Sequence, residues 1–428
     1  MLAALALAAL FLLGALPLIL TDKGNGTNRA DQDDYHLPVI REFAAQWPHP
    51  YLRDYNAAMT PGYHLLMASV YRATHSVRDL KFVNSLITVG LLITLALAVA
   101  RFAGPVAGIV LCLPFLCSQY IFTSGVWLVP HNPAWWCVLL VLLISLRPRV
   151  DRTTYVLGGL FLLALVLFRQ IHLWAAAPLW VAASLGSEKP DSKSISPEPV
   201  NTPVKDCPWL RLAWMTLWIL PAVIAVVFFL HLWHGTVPPM QRKDVAGGNP
   251  AVPALFLALT GIYAIFFGTT FPWKIAFAKA QRWRSVGAMI VGLVIGLLAG
   301  ILPHTNYSQK EGRWGGLWHA VPHLPVIHNR SILIIGLAAL GGTLLALWIV
   351  TLPKRPRWII LAAFAGIIAA NCAASQAWQR YDDPFLLMMF PLMAVRLPRA
   401  AEQWKYQRLA GPLLLAALIA ATTALTLR

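Results

Sequence analysis

Long apolar runs, each broken by a short polar connection, dominate the chain. They fall at 1–20, 82–100, 103–119, 133–147, 154–168, 172–185, 210–233, 253–268, 285–303, 331–352, 356–372, 384–396 and 409–426. A hydrocarbon core of roughly 30 Å takes about 20 apolar residues to cross as a helix, and several runs approach that length. The pattern predicts an all-α fold, a polytopic transmembrane helical bundle of about thirteen spans. A shorter stretch at 61–73 is too brief for a crossing, and counting it as one would invert the alternation of loops up to Arg147. It reads as a juxtamembrane helix in the first outer loop. The first run lacks a basic amino-terminal region, and Thr21-Asp22-Lys23 follows it without a small-residue cleavage pattern, so it reads as an uncleaved span.

Basic residues fix the expected orientation. Arg147, Arg149 and Arg152 form one group, and Lys274, Lys279, Arg282 and Arg284 a second. Lys354, Arg355 and Arg357 form a third, and Arg396, Arg399, Lys405 and Arg408 a fourth. With all four on the cytoplasmic side, loops 21–61, 120–132, 234–252, 304–329 and 373–382 lie outside, with the amino end inside and the carboxyl end outside. The formal charge of +17 then reflects this bias, because the Lys and Arg residues lie between apolar runs rather than along one face; no nucleic-acid partner is implied. A Ser/Pro-rich linker at 186–209 reads as disordered and cytoplasmic. It separates an N-terminal membrane module, 1–185, from a C-terminal one, 210–428. The five cysteines show neither metal-ligand spacing nor the even count of a disulfide framework.

The candidate chemistry gathers in the outer loops. Asp33-Asp34-Tyr35-His36-Leu37-Pro38 follows the first span, and paired carboxylates there suit general-base work, with His36 sharing it or meeting an anionic leaving group. A solvated acidic loop that keeps this segment out of the bilayer is the plainer alternative. Asp54 to Tyr63 comes next, and in it Thr60-Pro61 is a helix-start signal, Thr as cap and Pro in the first turn. Phe168-Arg169-Gln170, with His172 and Trp174 just beyond, interrupts an apolar stretch. An arginine there is either a snorkelling interface residue or an anion ligand, and its place on the outer side, against the basic bias, favours a phosphate or substrate contact. Arg380, Tyr381 and the acids Asp382-Asp383 open a late helix, as an ordinary ion pair or as part of a site. The aromatic and basic residues of 304–329, among them Trp314, Trp318 and His319, suit a sugar and a phosphate but equally an interfacial anchoring belt, the plainer role for most of them. There is no HExxH and no GxxxxGK[ST], so neither a zinc site nor a nucleotide-phosphate loop is implied. An enzyme working outside without nucleotides needs a membrane-borne activated donor.

These elements together resemble the GT-C class of membrane glycosyltransferases. Within it they are similar to the dolichyl-phosphate-glucose α-1,2-glucosyltransferases, which add the terminal glucose of a lipid-linked oligosaccharide. That family carries DExFHxPQ-like, DPxITTPPGLY-like and FRQTNI motifs; here Asp33 to Pro38, Asp54 to Tyr63 and Phe168 to His172 follow in the same order. The acidic pair stands one residue closer to His36 than in the family, and Val39 takes the place of its Gln. The resemblance implies hexose transfer with inversion from a polyprenyl-phosphate sugar donor to a lipid-linked glycan or other exoplasmic acceptor. Asp33 or Asp34, with His36, would be catalytic, and Asp54, Thr60, Arg169, Gln170, His172, Arg380 and Tyr381 would bind substrate. No cofactor is required on this view; Mg²⁺ or Mn²⁺ at Asp33 and Asp34 is the one metal the acidic pair suits. The implied setting is a plasma membrane if the host is bacterial, or the endoplasmic reticulum membrane if it is eukaryotic, with the site on the non-cytoplasmic face. A transporter or flippase for a lipid-linked or anionic substrate is the competing reading, and a non-enzymatic assembly subunit a third.

Overall fold

In a computed structural model of the protein, the described residues are 1–188, 207–245, 247–398, 404 and 406–427. Most of the expected linker, 189–206, therefore lies outside them, as do Arg399 and Lys405. Among the described residues the regular structure is helical apart from one small hairpin. In order the helices are α1 (Leu2–Thr21), α2 (Thr27–Asp31), α3 (Leu37–Ala45), α4 (Gly62–Thr74), α5 (Val77–Ala103), α6 (Pro105–Cys117), α7 (Gln119–Val126), α8 (His131–Ser145), α9 (Arg152–Phe168), α10 (Ala176–Leu185), α11 (Pro208–Trp233), α12 (Arg242–Val245), α13 (Val252–Phe267), α14 (Trp273–Ala276), α15 (Arg282–Ile301), α16 (Ile332–Thr351), α17 (Lys354–Cys372), α18 (Gln379–Ala394) and α19 (Tyr406–Thr426). The hairpin, β1 (Val326–Ile327) and β2 (Arg330–Ser331), turns through His328 and Asn329, both at positive φ as a two-residue primed turn requires.

The thirteen expected spans are not all present. Among the described residues seven helices are long and apolar enough to cross a membrane, and eight if α6 and α7 form one broken span bent by 73°. Length explains the difference. The runs at 133–147, 154–168 and 172–185 form α8, α9 and α10 of 15, 17 and 10 residues, and α18 has 16. The run at 103–119 breaks after Cys117, where Ser118 leaves the helical conformation and donates its hydroxyl to Asp383. α17 is long enough but opens with three basic residues, Lys354, Arg355 and Arg357. The 13-residue α4 spans about 20 Å, short of a crossing, as expected.

Close backbone approach holds the centre of the bundle. In hydrocarbon, helices gain little by exchanging lipid for one another, so small residues that permit tight packing carry the association. Gly292, Gly296 and Gly300 line one face of α15, and a Cβ on Gly296 would stand 2.2 Å from the Ala338 carbonyl of α16. On the other side of α16, a Cβ on Gly341 would collide with the Leu257 carbonyl of α13. α8, α13 and α18 are the most enclosed helices, with every residue of α18 from Asp382 to Ala394 buried. Helices from both sides of 189–206 share one core: α10 packs on α17, α9 on α11, and the last helix, α19, on α6.

A second apolar cluster tops one end. Val39, Ile40 and Phe43 of α3 meet Tyr63 and Met67 of α4, and Phe229 and Trp233 from the end of α11 join them. The connections expected on the outer side converge at this same end. Trp233 donates its indole N–H to the Leu52 carbonyl at 2.9 Å, and the Gln241 amide bonds Asn56 at 2.6 Å. Asn249 donates to the Glu311 and Ser375 carbonyls at 2.8 and 2.9 Å. Trp318 reaches the Ala377 carbonyl at 2.7 Å and is fully buried, so it is a plug between two connections rather than an interfacial anchor; Trp314, by contrast, is exposed.

Candidate functional site

The acidic segment expected as a loop is helical. From Thr27 to Ala45 the chain runs through α2, a π-helical turn at Gln32–His36, and α3. Up to His36 its buried face is polar, which hides that half from any search for apolar periodicity. Asn28 donates to the hydroxyls of Thr123 and Ser124 at 2.7 and 2.9 Å. One turn on, the Gln32 side-chain oxygen accepts the Leu128 backbone N–H at 3.1 Å. After the π turn, His36 Nδ1 lies 3.0 Å from His64 Nε2 on α4. Single π turns recur at functional positions in helices, and this one keeps Gln32 and His36 both facing inward.

The two carboxylates singled out from the sequence point the other way. Asp33 and Asp34 are exposed; Asp33 accepts from Gln32 at 2.8 Å and lies 3.7 Å from the Arg29 guanidinium. The acid that enters the protein is Asp31, whose carboxylate meets Arg380 at 2.8 Å with side-chain exposures of 20% and 17%. Among the described residues, no group of three or more His, Cys, Asp or Glu is arranged to hold a metal ion.

Arg380 and Arg169 both lie against one aromatic ring. The Arg380 guanidinium stacks 3.7 Å from the Trp378 centroid and 5.4 Å from that of Tyr381, and Arg169 lies 5.3 Å from Tyr381 as well. Both are within cation–π range. Arg169 follows the end of α9, where the backbone turns extended before the 3₁₀ turn Gln170–Ala175. Its amino group sits 2.7 Å from His131 Nδ1. Since a guanidinium only donates, His131 accepts through Nδ1 and is neutral. His172, on the 3₁₀ turn, receives the Trp174 indole N–H at Nδ1, 3.1 Å away, and packs edge-on to Trp135. Sequence analysis counted Asp31 among the acids of the first outer loop but gave it no catalytic or binding role, and it missed His64, His131, Trp135 and Trp378 as members of this cluster.

Burial also keeps the His36–His64 pair uncharged. It pushes His64 down to about 3 and holds His36 well below the usual imidazole range, with His64, Arg169 and Arg380 adding repulsion for His36. His36 thus faces the two guanidiniums as a neutral group.

The remaining expected residues hold the frame. Thr60 does not cap α4, which starts at Gly62; its hydroxyl donates to the Val166 carbonyl of α9 at 2.6 Å, and its N–H to the Gln170 side-chain oxygen at 3.0 Å. Gln170 in turn donates to the Thr236 carbonyl at 2.9 Å. A Cβ on Gly62 would come within 2.6 Å of the Leu167 carbonyl, so the Thr-Pro-Gly sequence serves a close crossing of α4 over α9. Asp54 accepts the Met240 backbone N–H at 3.0 Å and belongs to the seam between two connections. Asp382 and Asp383 are buried behind the arginines: Asn371 donates to Asp382, while Tyr263, Ser118 and Gln379 donate to Asp383.

The molecule is thus an all-helical, membrane-embedded protein with a cationic, aromatic cluster at one end of its bundle. No known protein family matches the chain, and comparison with curated proteins and with solved structures gives no match either.

Proposed function

We propose that the protein is an integral-membrane glycosyltransferase that moves a glucose-like hexose, with inversion, from a polyprenyl-phosphate sugar to a lipid-linked glycan or other exoplasmic acceptor. The observation that carries this reading is the pair of guanidiniums, Arg169 and Arg380, 5.3 and 5.4 Å from the Tyr381 ring, with Asp31 compensating Arg380. Departure of a polyprenyl phosphate develops negative charge, and fixed guanidiniums stabilise such charge by charge-assisted hydrogen bonds. Asp31 is engaged with Arg380 and serves as a positioning group. Asp33 or Asp34, exposed on the same helical segment, takes the proton of the acceptor hydroxyl. A base of this kind contributes roughly 10²–10⁴-fold.

Purified protein in lipid, supplied with a panel of polyprenyl-phosphate hexoses and acceptors, tests the reading through release of polyprenyl phosphate. Release that Asp33→Asn or Asp34→Asn lowers by about 10²-fold or more, with the fold retained, identifies the base. No release from any donor, together with movement of a lipid-linked or anionic solute across the bilayer, replaces the transferase by a transporter.

A further inference from the structure

Trp135, Arg169, Ile171, His172, Asn371 and Tyr381 line a cleft of ≈10 Å³, about the space one water-sized oxygen needs. Its polar lining is dominated by donors. The Trp174 indole is a donor only, so the bond it makes to His172 Nδ1 uses that nitrogen's lone pair and leaves the ring proton on Nε2. His172 is 4% exposed and its Nε2–H has no hydrogen-bond partner. The same holds for the Trp135 indole N–H, in a side chain 1% exposed whose ring centroid lies 4.9 Å from that of His172. Arg169 makes no ion pair with a carboxylate among the described residues; its 2.7 Å bond goes to the neutral His131, the Tyr381 hydroxyl accepts from it, and Asp31, which acts on it at longer range, is in direct contact with Arg380. Two orphaned N–H groups and a guanidinium without a carboxylate in direct contact surround the same small space. Buried polar groups in native proteins are nearly always paired, and buried charges are compensated, so the missing partner is an acceptor that carries negative charge.

We propose that this cleft receives one anionic oxygen of a phosphate monoester, held by Arg169 and by the N–H groups of His172 and Trp135, with Trp174 as the positioning residue that keeps His172 a neutral Nε2–H donor. The cleft admits a single oxygen, so the rest of the phosphate and its ester chain lie at the mouth, beside Tyr381. The inference rests on the transferase reading for the prenyl chain, whereas the anion chemistry stands on the donors.

Equilibrium binding to the full chain in phosphatidylcholine nanodiscs tests it, with a short polyprenyl phosphate, the matching polyprenol and inorganic phosphate as probes. The expected result is that the polyprenyl phosphate binds at least about tenfold tighter than the polyprenol, one good hydrogen-bonded contact being worth that factor. His172→Phe and Trp135→Phe each erase most of that preference and leave polyprenol affinity unchanged. His172→Gln, which keeps an N–H donor, retains more of the preference than His172→Phe. Trp174→Phe removes the donor that keeps the ring proton on Nε2, so the ¹⁵N signals of His172 shift toward the Nδ1–H tautomer and the phosphate preference falls; a merely structural role for Trp174 leaves the tautomer unchanged. Tight binding of inorganic phosphate with the same dependence on His172 keeps the anion site and assigns it to free phosphate. Equal affinities for polyprenol and polyprenyl phosphate, or variants that weaken both alike, overturn the proposal. Phosphate binding without sugar transfer from any donor would sink the transferase reading alone; transfer that His172→Phe leaves intact, with the phosphate preference unchanged, would sink this inference alone.

Discussion

Replacing Asp31 by Asn removes the carboxylate that meets Arg380 at 2.8 Å. At an effective dielectric of about 20, unit charges at that separation attract by roughly 6 kcal/mol, before the desolvation of both groups is subtracted. Each side chain is about four-fifths covered, so most of that desolvation is incurred on folding and is not recovered when one partner goes. Truncating one member of a fully buried pair destabilises by about 3–5 kcal/mol. Residual solvent access and the stacking of Arg380 on Trp378 lower the expectation here to about 2–3 kcal/mol. The measurement is a double-mutant cycle of Asp31→Asn with Arg380→Gln, read from reversible unfolding in mixed micelles, with a coupling of about 1–2 kcal/mol expected. Arg29 and Asp33 supply the control, being 3.7 Å apart with side-chain exposures of 30% and 49%; their coupling is expected below about 0.5 kcal/mol. A coupling for Asp31–Arg380 no larger than the control would refute the claim that the first helical segment is pinned to α18 by charge, and with it the positioning role of Asp31.

Three further outcomes are expected. Gly296→Leu places a side chain against the Ala338 carbonyl and should lower stability by more than about 3 kcal/mol or prevent a monodisperse preparation, whereas Gly287→Leu on the same helix meets nothing within 4 Å and should be tolerated, as thermal unfolding in detergent will show. Asp383→Ala strands the Tyr263 and Ser118 hydroxyls and the Gln379 amide in the core and should destabilise by about 3–5 kcal/mol, while Asp383→Asn, which keeps one acceptor oxygen, should lose less. Because the folded protein holds His64 neutral down to about pH 3, unfolding takes up a proton once the pH drops below the ordinary imidazole value of about 6.5. Stability contributed by the neutral ring is therefore full above that value and declines as pH falls, by up to about 1.4 kcal/mol per unit; His64→Phe should flatten the slope between pH 6 and 4 by a comparable amount, and an unchanged slope would contradict burial of that ring.

How far the sequence carried depends on what each segment buries. Runs with lipid on one side and apolar helices on the other announce themselves: α1, α11 and α16 end within a few residues of the apolar stretches that foretold them. Length within such a run is less legible. The stretch at 103–119 is as apolar as its neighbours, yet it breaks at Ser118 because that hydroxyl is wanted by Asp383, 265 residues later. The acidic helix is the opposite case. Its inner face is Asn28, Gln32 and His36, spaced every fourth residue, and that period carries no signal when the buried positions are polar. Asp33 and Asp34 stood out as a pair, but pairing in sequence says nothing about facing, and the neighbouring Asp31 is the acid turned toward the arginines. Arg169 and Arg380 were recognisable as oddities at the end opposite the basic connections. That they share the ring of Tyr381 is a fact of tertiary structure alone.

Two arginines show why charge in such a bundle must be read from its partners rather than from its depth. Arg355, at the start of α17, donates to the Ser145 and Arg147 carbonyls, each at 3.2 Å, to the Ala182 carbonyl at 3.1 Å, and to that of Gly186. Those carbonyls belong to the ends of α8 and α10, where four C=O groups of each helix lack an internal partner and the helix dipole presents negative charge. One guanidinium thus caps two helices, its donors are matched by acceptors inside the protein, and nothing more is needed to explain it. Arg169 sits at the other end, after the last turn of α9, with a neutral imidazole and an aromatic face for company. Its neighbours His172 and Trp135 add donors where an acceptor is called for. An interior arrangement that satisfied Arg169 would be easy to build with one carboxylate, as Asp31 shows for Arg380 beside the same ring. Where the fold compensates Arg355 and Arg380 and leaves Arg169 facing a space the size of one oxygen, the compensating charge is expected to arrive with the ligand.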